Sequence, residues 1–253
     1  MNKIFAIAYY TLKENIRNKV FYVLIFFAFL ILFSALLFSI LGGEAELRLL
    51  FDFGLAAIEL FALLITIYAS VNLVLEEIEN KTIYLLLTRP LSRRTYLFGR
   101  YLGILFAVYL SVIIMSLGHL SLLGLKKWTF DPGYLFVLFG LGFKIILISA
   151  VAIFFSLFSS SAISSVSFTF FFWLLGHFTE ELKFLGLRLS NLFLKYLVKF
   201  LYYLLPNFQY FNFRDHWQSG LNVNFIFLTL LYGLVYTTVC FLFTSLLFSR
   251  KEF

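Results

Sequence analysis

Apolar residues in this chain come in long blocks rather than at the spacing of about 3.6 or 2 residues that marks half-buried helices and strands. The run 20–41 carries no charged side chain, 54–75 carries one ionisable residue, Glu59, and 102–125 and 225–248 carry no Lys, Arg, Asp or Glu; from 134 to 176 only Lys144 is charged. A helix needs about 20 residues to cross the hydrocarbon of a bilayer. Four of these runs therefore predict one span each. The fifth is long enough for two, 134–158 and 161–178, with Ser159, Ser160 and Ser161 as the hairpin between them. The pattern predicts an all-α polytopic membrane protein with six transmembrane helices in a single domain over 1–253.

The intervals between the blocks add detail. Over 1–19, at 100° per residue, Phe5, Ala8, Tyr9, Leu12 and Ile16 fall on one face, with Lys3, Lys13, Glu14 and Arg17 opposite, which predicts an amphipathic helix lying in the membrane interface. It leads directly into 20–41, which is longer than the roughly 7–15 residues of a signal-peptide core, so this run reads as an uncleaved first span. The interval 42–52 reads as a short polar connection, and Lys126, Lys127 and the turn signal Asp131, Pro132, Gly133 close the third span. Within 179–224, Arg188, Lys195 and Lys199 share one face of a helix that Pro206 ends, which predicts a surface-lying amphipathic helix on the outer side.

Composition agrees with the pattern. The chain is 62% hydrophobic and 13% charged, against about 25% charged in soluble domains, and no separate soluble domain fits between the blocks. The net charge of +7 sits beside apolar spans rather than on one polar module, so anionic membrane lipids are the expected counter-charge and nucleic acid is not. With both termini inside, eleven lysines and arginines fall in the cytoplasm against eight on the opposite side, and the short loops carry most of that bias. Cys240 is the single cysteine, which rules out an intrachain disulfide.

The chain has no G-x-x-x-x-G-K-[ST] phosphate loop, no H-E-x-x-H and no G-x-S-x-G, so no enzymatic motif is legible. His119, His177 and His216 lack metal-ligand spacing. Glu59 and Lys144 are sharper candidates, because an ionisable group at the centre of a span costs about 2.5–3.5 kcal/mol or more. Both helices run from outside to inside, and at about 1.5 Å per residue Glu59 lies about 12 Å below Phe51 and Lys144 about 15 Å below Tyr134. At matching depth, the two can form an ion pair that fixes helix packing or a polar lining along a substrate path. A secondary carrier using this pair, or a lipid-modifying enzyme with an unrecognised site, are the alternatives from other functional classes.

The most charged interval is 76–103. Glu76, Glu77 and Glu79 lead, Ile83, Tyr84, Leu85, Leu86 and Leu87 form an apolar ridge, and Arg89, Pro90, Arg93, Arg94 and Arg100 follow. Pro90 breaks a helix and Ser92 caps the next one, yet Arg93 and Arg94 then occupy a first turn where the helix dipole disfavours cations. An apolar ridge rimmed by both signs of charge fits a docking surface for a soluble subunit.

At these residues the chain resembles the permease subunits of type-2 ABC transporters, in particular the six-span permeases grouped with multicopper-enzyme maturation systems. The family's loop between spans two and three falls on Glu77, Glu79, Thr82, Ile83, Leu86, Leu87, Pro90, Arg93, Gly99 and Arg100, with Lys81 where the family carries Gly. The amphipathic lead-in, the six spans, the Leu205, Pro206, Asn207 element and the basic tail extend the resemblance over the whole chain. It implies that the segment 76–101, with Glu76, Lys81, Arg89 and Arg94 among its docking residues, is a coupling helix for a separate ABC ATPase subunit. It further implies a permease homodimer, ATP and Mg²⁺ held by the partner with no cofactor in this chain, and a non-catalytic, probable-exporter role in the cytoplasmic membrane with both termini cytoplasmic.

Overall fold

Asn18 separates the first two helices: its backbone is extended and its side chain accepts from the Val20 amide, so α1 (Lys3–Arg17) ends and α2 (Lys19–Ile40) begins within two residues. The computed structural model describes residues 3–79, 92–159, 161–213 and 223–250. The chain continues through α3 (Glu46–Glu79), α4 (Arg93–Leu125), α5 (Gly133–Phe158), α6 (Ala162–His177), α7 (Thr179–Arg188), α8 (Leu192–Leu204) and α9 (Val223–Arg250), with short 3₁₀ turns at Gly43–Ala45 and Phe208–Phe211. The fold is all-α and polytopic. Among the described residues five helices, α2, α3, α4, α5 and α9, are long and apolar enough to cross a membrane; α6 and α7, bent by 64° at their junction, reach that length and hydropathy only as a pair, as a broken span or a re-entrant loop does.

Burial divides these helices into two groups. More than half of the most apolar window is buried in α3, α4 and α5, against 22% in α2 and 17% in α9. The first three form the centre, and the other two present Phe26, Phe33, Leu231 and Leu242 outward, as a lipid-facing layer does. One face of the bundle holds α1, the start of α4 and the end of α9. The opposite face holds α7, α8 and the turn before α5.

Three expected boundaries move. The polar connection expected over 42–52 is mostly helix, because α3 starts at Glu46. A carboxylate in a first turn favours the helix dipole, and Glu46 also pairs with Lys126 at 2.5 Å. The fifth span is short: α6 has 16 residues, about 24 Å against a hydrocarbon of about 30 Å, and α7 departs where it ends. Arg188 does not share a helix with Lys195 and Lys199. It ends α7 and stacks over Phe184 at 4.0 Å, while Asn191 starts α8 by accepting from the Phe193 amide at 3.0 Å.

The chain after α8 turns back into the bundle with no regular structure over 205–212 beyond the 3₁₀ turn Phe208–Phe211. Phe208, Phe211 and Phe213 are all buried, and Gly140 on α5 and Gly176 on α6 leave room for the carbonyls of Phe211 and Pro206. At the same face His119 locks three helices together. Its ring lies 3.2 Å from both the Leu50 carbonyl of α3 and the Tyr134 hydroxyl of α5, in space that the missing side chain of Gly54 provides.

Helix α1 is seated on α4. Gly99 faces Ile7 and the Ile4 carbonyl, and Gly103 faces Thr11 and the Ala8 carbonyl. Both sides advance by four residues, so over this stretch α1 runs alongside α4 in the same direction. Its protein-facing residues are Ala8, Thr11 and Asn15 rather than the larger apolar set, of which Phe5 and Tyr9 stay exposed and Leu12 and Ile16 are half-buried. A Cβ at Gly103 would collide with Thr11 and lie 2.6 Å from the Ala8 carbonyl, whereas one at Gly124 meets nothing within 4 Å. Gly103→Val is expected to lower stability by about 1–3 kcal/mol through overpacking, and Gly124→Ala to leave it unchanged or slightly raised. Thermal unfolding of the purified protein measures both, and equal melting temperatures for the two variants would contradict the seat.

Candidate functional site

A polar pocket lies where α3, α5 and α6 meet. Lys144 on α5 is almost fully buried, and its Nζ lies 2.5 Å from Glu59 Oε1 on α3. His177, the last residue of α6, brings Nε2 to 3.7 Å from the same oxygen. Its Nδ1 lies 3.0 Å from the Trp173 carbonyl, and a carbonyl only accepts, so Nδ1 carries the hydrogen. The neutral ring therefore presents Nε2 to the carboxylate as an acceptor, and the protonated ring presents it as a donor. Trp173 and Phe208 flank the imidazole with ring centroids 4.6 and 5.2 Å away.

A cavity of about 160 Å³ adjoins the three groups, lined also by Ala56, Val137, Phe211 and Asn212. The segment 206–213 closes one side of it, held by Gln209 Nε2 donating to the His177 carbonyl at 2.6 Å and by Asn207 Nδ2 donating to Glu180 at 3.2 Å. The structure thus brings Glu59 and Lys144 together and adds His177. The sequence did not point to His177, because equal-length spans would place it near the membrane surface; the short α6 sets it at the level of the pair. The other histidine of known position, His119, is a packing residue, and no cluster of three or more His, Cys, Asp or Glu suited to a metal occurs among the described residues.

The second candidate site, the charged stretch after α3, is described only at its edges. Lys81, Thr82, Ile83, Leu86, Leu87, Arg89 and Pro90 lie outside the described residues, as do the side chains of Glu76, Glu77 and Glu79 in the last turn of α3. On the far edge Ser92 caps α4 by accepting from the Thr95 amide at 3.1 Å. Arg93 Nη1 donates to the carbonyls of Phe248 and Ser249 at 2.7 and 2.9 Å, and thereby caps the C-terminus of α9, where a cation is favoured. Its place in the first turn of α4 thus has a structural cause. Arg94 is exposed.

Arg100 is also structural. It is 3% exposed, pairs with Glu14 Oε2 at 2.6 Å and donates to Thr11 Oγ1 at 3.1 Å, so it fastens α1 onto α4. The spacing Gly99-x-x-x-Gly103 carries the signal for this seat, since small residues four apart mark close helix contact in membranes. Of the other α1 positions, Lys3, Lys13 and Arg17 are exposed on the polar side.

The pair Glu59 and Lys144 is unequally buried: the Glu59 side chain is 30% exposed and that of Lys144 4%. Glu59→Gln strands a buried ammonium and is expected to cost about 3–5 kcal/mol, whereas Lys144→Met strands a carboxylate that is only partly buried and is expected to cost less. Combining the two recovers most of the larger loss. Melting temperatures of the three variants read this out, and additive losses would contradict the pairing.

Comparison with known proteins identifies the chain. No curated protein matches it. A family model does, over residues 14–176, which is well over half of the chain and includes α2 to α6 with both members of the buried ion pair. The match is to an ABC-2 family transporter protein and does not extend to the multicopper-enzyme maturation grouping. With its apolar bundle, the chain belongs to the ABC-2 family of transporter proteins, as a multi-pass membrane permease of that family.

Proposed function

We propose that this chain is the non-catalytic, membrane-spanning subunit of an ATP-driven exporter, and that a separate ATPase subunit docks on the segment 76–101 from the cytoplasm. The observation that carries the proposal is the ABC-2 family match over a sequence without a phosphate loop, which supports ATP chemistry supplied by a separate subunit. ATP and Mg²⁺ are bound on that partner. Two copies of this chain and two ATPases form the working unit in the cytoplasmic membrane, with both termini cytoplasmic. The basic residues at the face where α1, the start of α4 and the end of α9 meet support that orientation under the positive-inside rule.

Arg93 and Arg94 play different parts in this arrangement. Arg93 caps α9, so its loss weakens the bundle itself, while Arg94 is exposed beside the docking segment. Arg94→Glu is expected to reduce co-purification of the ATPase several-fold with an unchanged melting temperature, and Arg93→Glu to lower the melting temperature as well. Affinity purification from native membranes, with the ATPase identified by mass spectrometry and by its hydrolytic activity, measures this. Transport by the chain alone, with no ATPase present, would instead support a secondary carrier built on Glu59 and Lys144.

A further inference from the structure

The pocket between α3, α5 and α6 has more hydrogen-bonding capacity than its own residues use. Lys144 Nζ has three N–H bonds and gives one to Glu59 Oε1. Among the described residues no second acceptor reaches Lys144, and none donates to Glu59 Oε2. The neutral ring of His177 leaves Nε2 without a donor, because Nδ1 holds the hydrogen against the Trp173 carbonyl. Two donors on one side of the pocket and two acceptors on the other thus border one cavity.

Charge balance selects what can fill it. With the His177 ring in its neutral form, Glu59 and Lys144 cancel, so a lone cation would leave the pocket at +1 and a lone anion at −1, and unbalanced charge is disfavoured at membrane depth. A zwitterion keeps the sum at zero. Its cation must also carry N–H bonds to reach Glu59 Oε2 and His177 Nε2, which a quaternary ammonium lacks. The volume of about 160 Å³ is close to that of a cavity of about 150 Å³ that takes up a benzene molecule, the scale of a small headgroup.

We propose that this pocket binds a zwitterion with a primary ammonium and a phosphate or carboxylate a few bonds away, the ammonium on Glu59 and His177 and the anionic oxygens on Lys144. An aminophospholipid headgroup and a free, water-soluble amino-alcohol phosphate share this chemistry. Only the role of such a group as cargo rests on the transport reading; binding to this chain requires no ATPase, so the two can fail separately.

The test uses the full chain purified in detergent. The probes are dihexanoyl phosphatidylethanolamine, glycerophosphoethanolamine, dihexanoyl phosphatidylcholine, ethanolamine and glycerol phosphate. Saturable binding of the ethanolamine lipid is expected, with the choline lipid, ethanolamine and glycerol phosphate, the last two carrying charge of one sign only, at least tenfold weaker. Equal affinity for glycerophosphoethanolamine assigns a soluble source, and binding of the lipid alone assigns the bilayer. Glu59→Gln combined with Lys144→Gln keeps a hydrogen bond without charge and should weaken the ethanolamine probes at least tenfold. Ala56→Phe, at the exposed rim of the cavity, should do the same without touching the ion pair or the melting temperature. Absence of saturable binding, equal binding of the choline lipid, or unchanged affinity in the folded Ala56→Phe variant would overturn the proposal.

Discussion

Hydrocarbon offers no hydrogen bonds, so every polar group at membrane depth has to be satisfied by the protein itself. This constraint governs the half of the molecule around the pocket, where α6 stops short and the chain after α8 returns through the 3₁₀ turn Phe208–Phe211. The Asn207 amide donates to the Tyr232 hydroxyl at 2.9 Å, the Tyr236 hydroxyl donates to the Leu204 carbonyl at 2.7 Å, and the Gln209 amide donates to Asn207 Oδ1 at 2.9 Å. Two tyrosines of α9 thus do for this segment what a continuing helix would have done for itself. Buried Phe208 and Phe211 exclude lipid from the same bonds. The irregular segment is possible because α5 and α6 carry glycine where its carbonyls press closest.

The same constraint decides where charge sits. Arg100 is joined to Glu14, Lys144 to Glu59, and Arg93 to the last carbonyls of α9, and each of these bonds joins two different helices. A buried ion pair adds little net stability, because desolvation offsets most of its attraction, but breaking one is costly. Such pairs therefore act mainly against wrong packing. A rotation of α3 by one residue would leave Lys144 alone in the bundle, and a displaced α1 would leave Arg100 alone. Hydrophobic contacts between spans discriminate far less, since lipid tails are as apolar as the neighbouring helix.

The sequence was most legible where a single physical quantity decided the outcome. Runs of about 20 residues with at most one charge located α2, α3, α4, α5 and α9, because no other arrangement satisfies so much apolar surface. The depth of Glu59 and Lys144 followed from the helical rise alone. What was not legible depends on which surfaces meet. Arg100 reads as one more basic residue beside a span until Gly99 and Gly103 bring α1 against it. Arg93 reads as misplaced until the end of α9 lies beside it. His177 reads as a surface histidine because nothing local in Ala162–His177 announces that the helix is too short to span.

Helix α3 ties the two candidate sites together. It is one uninterrupted helix of 34 residues, with Glu59 in the pocket and Glu76, Glu77 and Glu79 in its last turn. From Glu59 to Glu76 is about 26 Å of helix, with no proline between them to act as a hinge. A push on the last turn is therefore delivered to the pocket as a shift or rotation of Glu59. Lys144 is held by α5, which Tyr101 and Tyr109 of α4 grip through the carbonyls of Ile146 and Gly142 on either side of it. Any displacement of α3 relative to α5 would carry the carboxylate away from the ammonium. A bond of 2.5 Å does not survive a displacement of an ångström or two without lengthening beyond hydrogen-bond range. Under the transport reading, an ATPase acting on the end of α3 would open the ion pair first, and a ligand held by both of its members would lose half of its contacts in the same movement.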